Sequence, residues 1–354
     1  MEANKTNPLD EIRQEVESAR SDLSTLIQDS SLSSVKDEYS DLDTKIANFG
    51  LRVQQIRDRK YAFNKIVEDQ GKEFQKQWTS KKFMIQSQIN TEANNLRMGL
   101  RPLETRVSSL PVSLGAASLV KTVKNDIENY KSRINSSESS TRALFDGIKT
   151  EVEKVSAQLD KVEFTLDNVE SASFGFLPGE AAVMAVKAVW TRDNNKEDKD
   201  DPEGILFLTD QRLIFEQKEE IATKKVLFVT TEREKVQKQL FEVPVVSIES
   251  VKAEKHGLFK NEDWIEMVMA SGSFARDVSL HLDGQDCNEW QKLITRVKTR
   301  EIDSDRAIAI DQAAVEKARS APSQCPFCGG AITKPVLRGQ DTITCEFCGK
   351  SIRL

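Results

Sequence analysis

Residues 204–217 read GILFLTDQRLIFEQ: an apolar run from Ile205 to Leu208, a polar Thr209-Asp210-Gln211, then Leu213, Ile214 and Phe215. Two short apolar runs about a polar turn predict strand, turn, strand. The same texture extends on both sides, in AVMAVKAVW (182–190), VLFVTT (226–231), LFEVPVVSIESVKAE (240–254), WIEMVMAS (264–271) and ARDVSLHL (275–282). The last segment, 283–301, changes period. Trp290, Leu293, Ile294 and Val297 share one helical face, and Asp286 stands where an N-cap belongs. Residues 172–300 are therefore expected to form an α+β barrel, several antiparallel strands closed by one C-terminal helix.

Before residue 172 the spacing is helical. Leu32, Val35, Tyr39, Leu42, Ile46, Phe49, Val53 and Ile56 recur at alternating steps of three and four, as do Val120, Val123, Ile127, Tyr130 and Ile134 and the run from Leu144 to Val169. Such seams with Lys, Glu, Asp, Gln and Ser between them predict a coiled coil over 1–170. Pro102, Pro111 and Gly115 place a break near 99–118. The expectation is a helical hairpin, one helix of roughly 65 residues and a return of roughly 50, an arm of roughly 75–100 Å at 1.5 Å per residue. The seams would be buried within one chain or between chains, and the length mismatch leans toward a homo-oligomer. Leu110, Val112 and Leu114, with Leu119 and Val120, make the turn apolar for a tip; they pack the hairpin end or meet a partner.

The run GILFLTDQRLIF, followed by VPVVSIESV, a charged hairpin and a capping helix, resembles the GRAM and bacterial PH-like domains. Leu208, Thr209, Arg212, Leu213 and Phe215 match the first element of that pattern, and Val243, Pro244, Val245 and Ile248 the second. The resemblance covers about 125 residues. It implies a PH-like barrel that binds lipid or protein, with no catalytic residues to carry over. Here the barrel carries an acidic insert, DNNKEDKDDPEG, between its first two strands. In the turn KAEKHGLFK, Lys252, Lys255, His256 and Lys260 would form a basic rim around Leu258 and Phe259, suited to an anionic bilayer or a partner.

Residues 301–324 read as a linker with a short helix stopped before Pro322. Cys325, Cys328, Cys345 and Cys348 follow as two Cys-x-x-Cys pairs sixteen residues apart. That spacing lets four thiolates close around one ion, with Gly329, Gly330 and Gly349 turning the backbone after each pair. Residues 325–354 resemble the zinc-ribbon family with rubredoxin-like knuckles, which implies one structural Zn2+, iron being the minor alternative. The segments ITKPVLRG and DTITCEF are expected to make the hairpin between the knuckles, and Lys334, Arg338, Lys350 and Arg353 give a sparse basic surface. The lone Cys287 reads as an inert thiol.

Of the 354 residues 31% are charged and 6% aromatic, and the net charge is -6, which disfavours a general nucleic-acid surface. No apolar run reaches the length of a membrane span and the N-terminus lacks a signal-peptide layout, so a cytoplasmic protein, peripheral to a membrane at most, is expected. The two histidines, His256 and His281, sit in no metal or triad spacing, and no phosphate loop or nucleophile elbow occurs. The sequence thus favours a non-catalytic adaptor or scaffold that recruits a protein partner or membrane. A ribbon that contacts nucleic acid, or a peripheral membrane factor, are the alternatives.

Overall fold

A computed structural model of the chain describes residues 7–191, 196–226, 229–259 and 261–354. They divide into two compact units, one of residues 1–50 and 69–156, the other of 51–68 and 157–354.

Among the described residues the helical half contains five α-helices: α1 (Pro8–Asp29), α2 (Ser33–Asp58), α3 (Val67–Ser108), α4 (Ala117–Arg142) and α5 (Asp146–Glu170). In the first unit α3 runs back along α2. The Tyr39 hydroxyl donates to the Lys82 carbonyl at 3.1 Å, Trp78 Nε1 donates to Asp43 at 2.5 Å, and the Phe49 and Phe74 rings meet edge to face. α4 then reverses against α3, with Tyr130 donating to the Leu96 carbonyl at 2.5 Å and Arg106 paired to Asp126. The chain therefore passes three times, where a two-helix hairpin was expected. Arg142 pairs with Glu38 at 2.8 Å and Lys149 with the same carboxylate at 2.7 Å, so α4 and α5 run parallel to α2. The surplus length of the first seam is thus taken up inside the chain, and Leu42, Ile46, Phe49, Val123 and Ile127 are buried there.

The extra reversal lies at 59–66, in RKYAFNKI, which has neither proline nor glycine. Lys60 and Asn64 adopt left-handed backbone, φ 66° and 58°. Arg57 holds the turn: its guanidinium donates to the carbonyls of Tyr61, Phe63 and Asn64 at 2.7–2.8 Å and pairs with Glu68 at 2.6 Å. The expected break at 99–118 is correspondingly narrower. Pro102 lies inside α3, itself exposed and one turn beyond the exposed Met98, so the carbonyl left without a donor is on a solvent-facing side. The helix ends at Ser108, and Leu110 and Ala116 are buried in the turn that follows.

The second unit is built on a seven-stranded antiparallel sheet: β1 (Ala182–Thr191), β2 (Glu203–Thr209), β3 (Arg212–Val226), β4 (Val229–Pro244), β5 (Ile248–His256), β6 (Glu262–Met269) and β7 (Asp277–Asp283), in the order β4-β3-β2-β1-β7-β6-β5. β2 and β3 are the expected strand-turn-strand. The stretch VLFVTT is not a strand of its own: β3 ends at Val226 and β4 begins at Val229, Leu227 and Phe228 lying outside the described residues. LFEVPVVSIESVKAE is two strands, split by a 3-10 turn at Val245–Ser247. Helix α6 (Cys287–Lys298) starts at Asp286, whose side chain accepts from the Asn288 and Glu289 amides, and packs against β5 and β6 with Trp290, Ile294 and Val297 buried. Gln291 and Lys298 donate to the outward carbonyls of Val251 and Glu249, at 2.9 and 3.0 Å, which blunts the β5 edge. At the other end Phe241 of β4 stacks at 4.6 Å on Phe274, in the loop before β7, with Trp190 against both. Seven antiparallel strands closed by one C-terminal helix is the architecture the resemblance implied.

β2 is apolar on both faces, and the structure gives the reason. One set of its side chains, Leu206 and Leu208, faces the barrel core. The other, Ile205 and Phe207, joins Ala185 and Ile214 beneath Phe164, Val169, Ala172 and Phe174 from the end of α5 and the connection after it. Arg52 of α2 and Arg59 just after its end bind that end of α5 at heptad spacing, Arg52 to Asp160 and Glu163, Arg59 to Asp167 and Glu170, at 2.6–2.9 Å.

Candidate metal centre and contact surfaces

Residues 301–324 lie against the sheet domain. Ile302 is buried, Arg306 pairs with Asp210, and the Ala307 amide donates to the Ala62 carbonyl at 2.7 Å. After helix α7 (Gln312–Arg319) come the two cysteine pairs. The two knuckles are built alike. The Gly329 amide donates to the Cys325 carbonyl at 2.8 Å and the Gly349 amide to that of Cys345 at 2.9 Å. Both glycines have φ near +70°, +75° and +69°, where a Cβ would clash with the backbone. Gly330 is required for space, since a Cβ there would lie 2.5 Å from the Phe347 ring.

These turns bring four sulfurs within 4.8 Å of one another, Cys325 to Cys348 and Cys328 to Cys345 at 3.7 Å each. Disulfide bonding needs about 2.05 Å between sulfurs. A tetrahedron with metal–sulfur bonds of about 2.3 Å has edges of about 3.8 Å, so the cluster has the size of a four-thiolate metal site. The Cys348 and Phe347 amides bring the Cys345 thiol down to about 7. At Cys328 the Gly330 amide acts the same way, but the crowd of thiols around it, Cys348 first, holds the proton on and pushes the group up to about 12. Cys325 and Cys345 are buried with Ile352 against Ile332.

The hairpin expected between the knuckles does not form. β8 (Thr342–Thr344) pairs instead with β9 (Ser351–Arg353), after the second knuckle. Between Lys334 and Asp341, which stay with the ribbon, the chain loops out and docks on the sheet domain through Leu337 and Arg338. Leu337 reaches Gly175, where a Cβ would lie 2.7 Å from Leu337 Cδ1. The Arg338 amide donates to the Phe176 carbonyl at 2.7 Å, and its guanidinium lies over the Phe176 ring and donates to the Glu180 carbonyl. Pro335, without an N–H, is a poor ladder residue, and the docking contacts replace the missing pairs. Besides Arg338, two more basic residues of the ribbon are engaged: Lys334 pairs with Glu346 at 2.7 Å and Lys350 lies over Phe327, while Phe327 and Phe347 are 56% and 71% exposed.

The motif residues at the β2–β3 turn form an internal brace. Thr209 accepts from the Gln211 and Arg212 amides and donates to Glu180 at 2.6 Å. Arg212, its side chain 9% exposed, binds Glu180, whose side chain is fully buried, through two hydrogen bonds of 2.9 and 2.7 Å, and reaches Glu242 and the Gly175 carbonyl. Asp210 accepts from the Ala181 amide, and burial pushes its carboxyl up despite Arg306 beside it. The motif thus ties 175–181, 210–212 and 306 together from within.

At the β5–β6 turn the structure separates the residues that the sequence grouped. Leu258 and Phe259 project at the tip, 98% and 89% exposed. Lys252 pairs with Glu254, and Lys255 with both Asp263 and Asp286, so it fastens the hairpin to the start of α6. His256 Nε2 donates to the Glu254 carboxylate at 3.0 Å and its ring stacks on Trp264; His281 stacks on the opposite face of the same ring and pairs with Glu197. Lys260 lies outside the described residues. The sandwich around Trp264 was not legible, because it joins three strands that register alone brings side by side. Cys287 is fully buried, donates toward the Glu254 carbonyl, and burial pushes its thiol up, as an inert thiol requires. At the α3–α4 turn Leu110 and Val120 are buried, whereas Val112 and Leu114 are 41% and 65% exposed.

No helix among the described residues is long and apolar enough to cross a membrane. No family model matches the chain, and no curated protein does. Among solved structures the chain is similar to the Vps36 N-terminal PH domain, at 14% identity over 35% of this chain and 83% of that one, TM-score 0.24. It is similar at 16% identity to a DUF1696-family protein with a pleckstrin-homology domain from Shewanella loihica, over 39% and 92% of the two chains, TM-score 0.22. The DH/PH domains of PDZ-RhoGEF, solved in complex with activated RhoA, align at 10% identity over 84% and 96%, TM-score 0.25. At these identities and scores the similarities say nothing of what this chain binds, and its fold rests on the strand order and helix placement described above.

Proposed function

We propose that this protein is a non-catalytic adaptor, in which a helical, coiled-coil-like half spans or oligomerises and a PH-like domain with a zinc ribbon recruits a protein partner or a membrane. One observation carries the reading. The polar motif residues are consumed by internal pairing, and three of the turns present exposed apolar pairs: Val112 and Leu114, Leu258 and Phe259, and Phe327 and Phe347. Exposed apolar groups of that kind serve contact rather than bond-making. The four thiolates suit one structural Zn2+, closed to substrate, that holds the ribbon folded.

The test is a pull-down of the full-length protein from its own cells beside three surface variants: Val112→Ser/Leu114→Ser, Leu258→Ser/Phe259→Ser and Phe327→Ser/Phe347→Ser. Point variants are preferable to deleting 1–170, because Tyr61 and Ala62 of that segment bond to Val183 and Ala307 in the sheet domain. A protein partner lost with one variant supports the adaptor and assigns recruitment to that surface. Recovery of the same material with all three would remove the reading, and turnover of a small molecule by the purified chain would replace it with an enzyme.

A further inference from the structure

We propose that the β5–β6 tip is an apolar wedge for zwitterionic bilayers, entering packing defects between lipids rather than being drawn by anionic headgroups. This deepens the recruitment reading above and rests on it. Leu258 and Phe259 are adjacent, and at 98% and 89% they are the two most exposed large apolar side chains among the described residues. Gly257 leads into the turn with φ +83°, and a Cβ there would meet the side chains of Asn261 and Glu262 at 2.8–2.9 Å.

The shape argues for lipid over protein. A stable protein interface takes roughly 800 Å² from each partner. Here two side chains stand on a convex end, flanked by polar residues, and fluid hydrocarbon can enclose such a projection from all sides. The charge around the tip argues against anionic headgroups. Lys252 and Lys255 are each paired with carboxylates, and His256 with Glu254. Glu197, Glu262 and Trp264 line a pocket of about 630 Å³ beside the turn, together with Lys196 and the two histidines, so acidic groups face the same side. Phosphate-bearing anionic lipid would find Lys252 and Lys255 already engaged, whereas the wedge itself needs no charge.

The experiment uses the full-length chain and two sets of small, highly curved vesicles, one of unsaturated phosphatidylcholine, one with added phosphatidylserine, each at low and high salt. Retention on phosphatidylcholine that salt does not weaken, and that falls about tenfold or more in Leu258→Ser/Phe259→Ser, is the expected result. Circular dichroism and metal content of that variant should match the parent. As an independent readout, Phe259→Trp should give a blue-shifted emission component when phosphatidylcholine vesicles are added. Retention that needs phosphatidylserine and vanishes with salt overturns the proposal. So does retention indifferent to the substitutions, or no retention and no blue shift. In those cases a protein partner captured by the parent chain and lost with the tip variant would leave the adaptor reading standing.

Discussion

Replacing Arg212 with methionine probes the internal brace directly. The substitution removes two hydrogen bonds to Glu180, one to Glu242 and one to the Gly175 carbonyl, at 2.6–2.9 Å. It leaves Glu180 fully buried with the Thr209 hydroxyl and the Leu177 amide as its remaining donors, each at 2.6 Å. An uncompensated buried charge of this kind costs about 3–5 kcal/mol. The pair's own net worth is much smaller, since burying both ions is expensive to begin with. Glu180→Gln/Arg212→Met, which leaves no charge behind, should therefore regain ~1–3 kcal/mol of the loss. Urea unfolding followed by tryptophan emission measures this. Trp190, Trp264 and Trp290 all belong to the second unit, so a Trp78→Phe background makes the signal report that unit alone. A single-variant cost below about 1 kcal/mol would show that the brace is solvated in solution, and the reasoning from burial would fail. A double variant less stable than Arg212→Met would refute the charge argument while keeping the packing one.

Three further outcomes are expected. Burial works against it, but Lys255 and the Asn288 amide bring Asp286 from 3.8 down to about 2, so its contribution to stability is present above pH 4 and is lost as pH falls through about 2. Melting temperature should therefore decline more steeply between pH 4 and 2 in the parent than in Asp286→Asn, and equal slopes would contradict the pairing. Metal analysis should find one equivalent of zinc, abolished by Cys345→Ser, and chelation should erase the β8–β9 amide signals while those of β1–β7 persist. Leu337→Ala/Arg338→Ala should weaken docking of the loop at 335–340 by about 1–2 kcal/mol, seen as faster proteolysis there with zinc content unchanged; unchanged cleavage would mean that the contact is dispensable.

The elements read from the sequence are those whose signals are local. Apolar runs about Thr209-Asp210-Gln211, the Asp286 cap and glycine after each cysteine pair depend on a few neighbouring residues, and each stands as expected. The reversal at 59–66 escaped because its cause is not a breaker residue but Arg57, which gathers three carbonyls across seven positions. Phe63 and Val67 continued the apolar seam straight over it, both being buried for another reason. At the ribbon, proximity in sequence suggested that 332–339 pairs with 341–347; Leu337 and Arg338 found partners in 175–180 instead, which no spacing rule encodes. The basic rim failed as a group for the same reason. Lys255 faces Asp263 and Asp286 from other elements, and Lys252 pairs with Glu254 on its own strand.

The bond between Ala307 and Ala62 has a bearing on biogenesis. Roughly 245 residues of chain lie between its ends, so at about 5–20 residues per second the turn at 59–66 leaves the ribosome ~10–50 s before its partner. Until 302–308 has emerged, Ala62 and Phe63, both buried in the finished protein, lack the Ala307 and Arg306 contacts that complete their cover. High contact order of this sort slows folding and leaves sticky intermediates. Nascent chains stalled before residue 300 should consequently bind holdase chaperones, and release should follow once 302–308 has emerged.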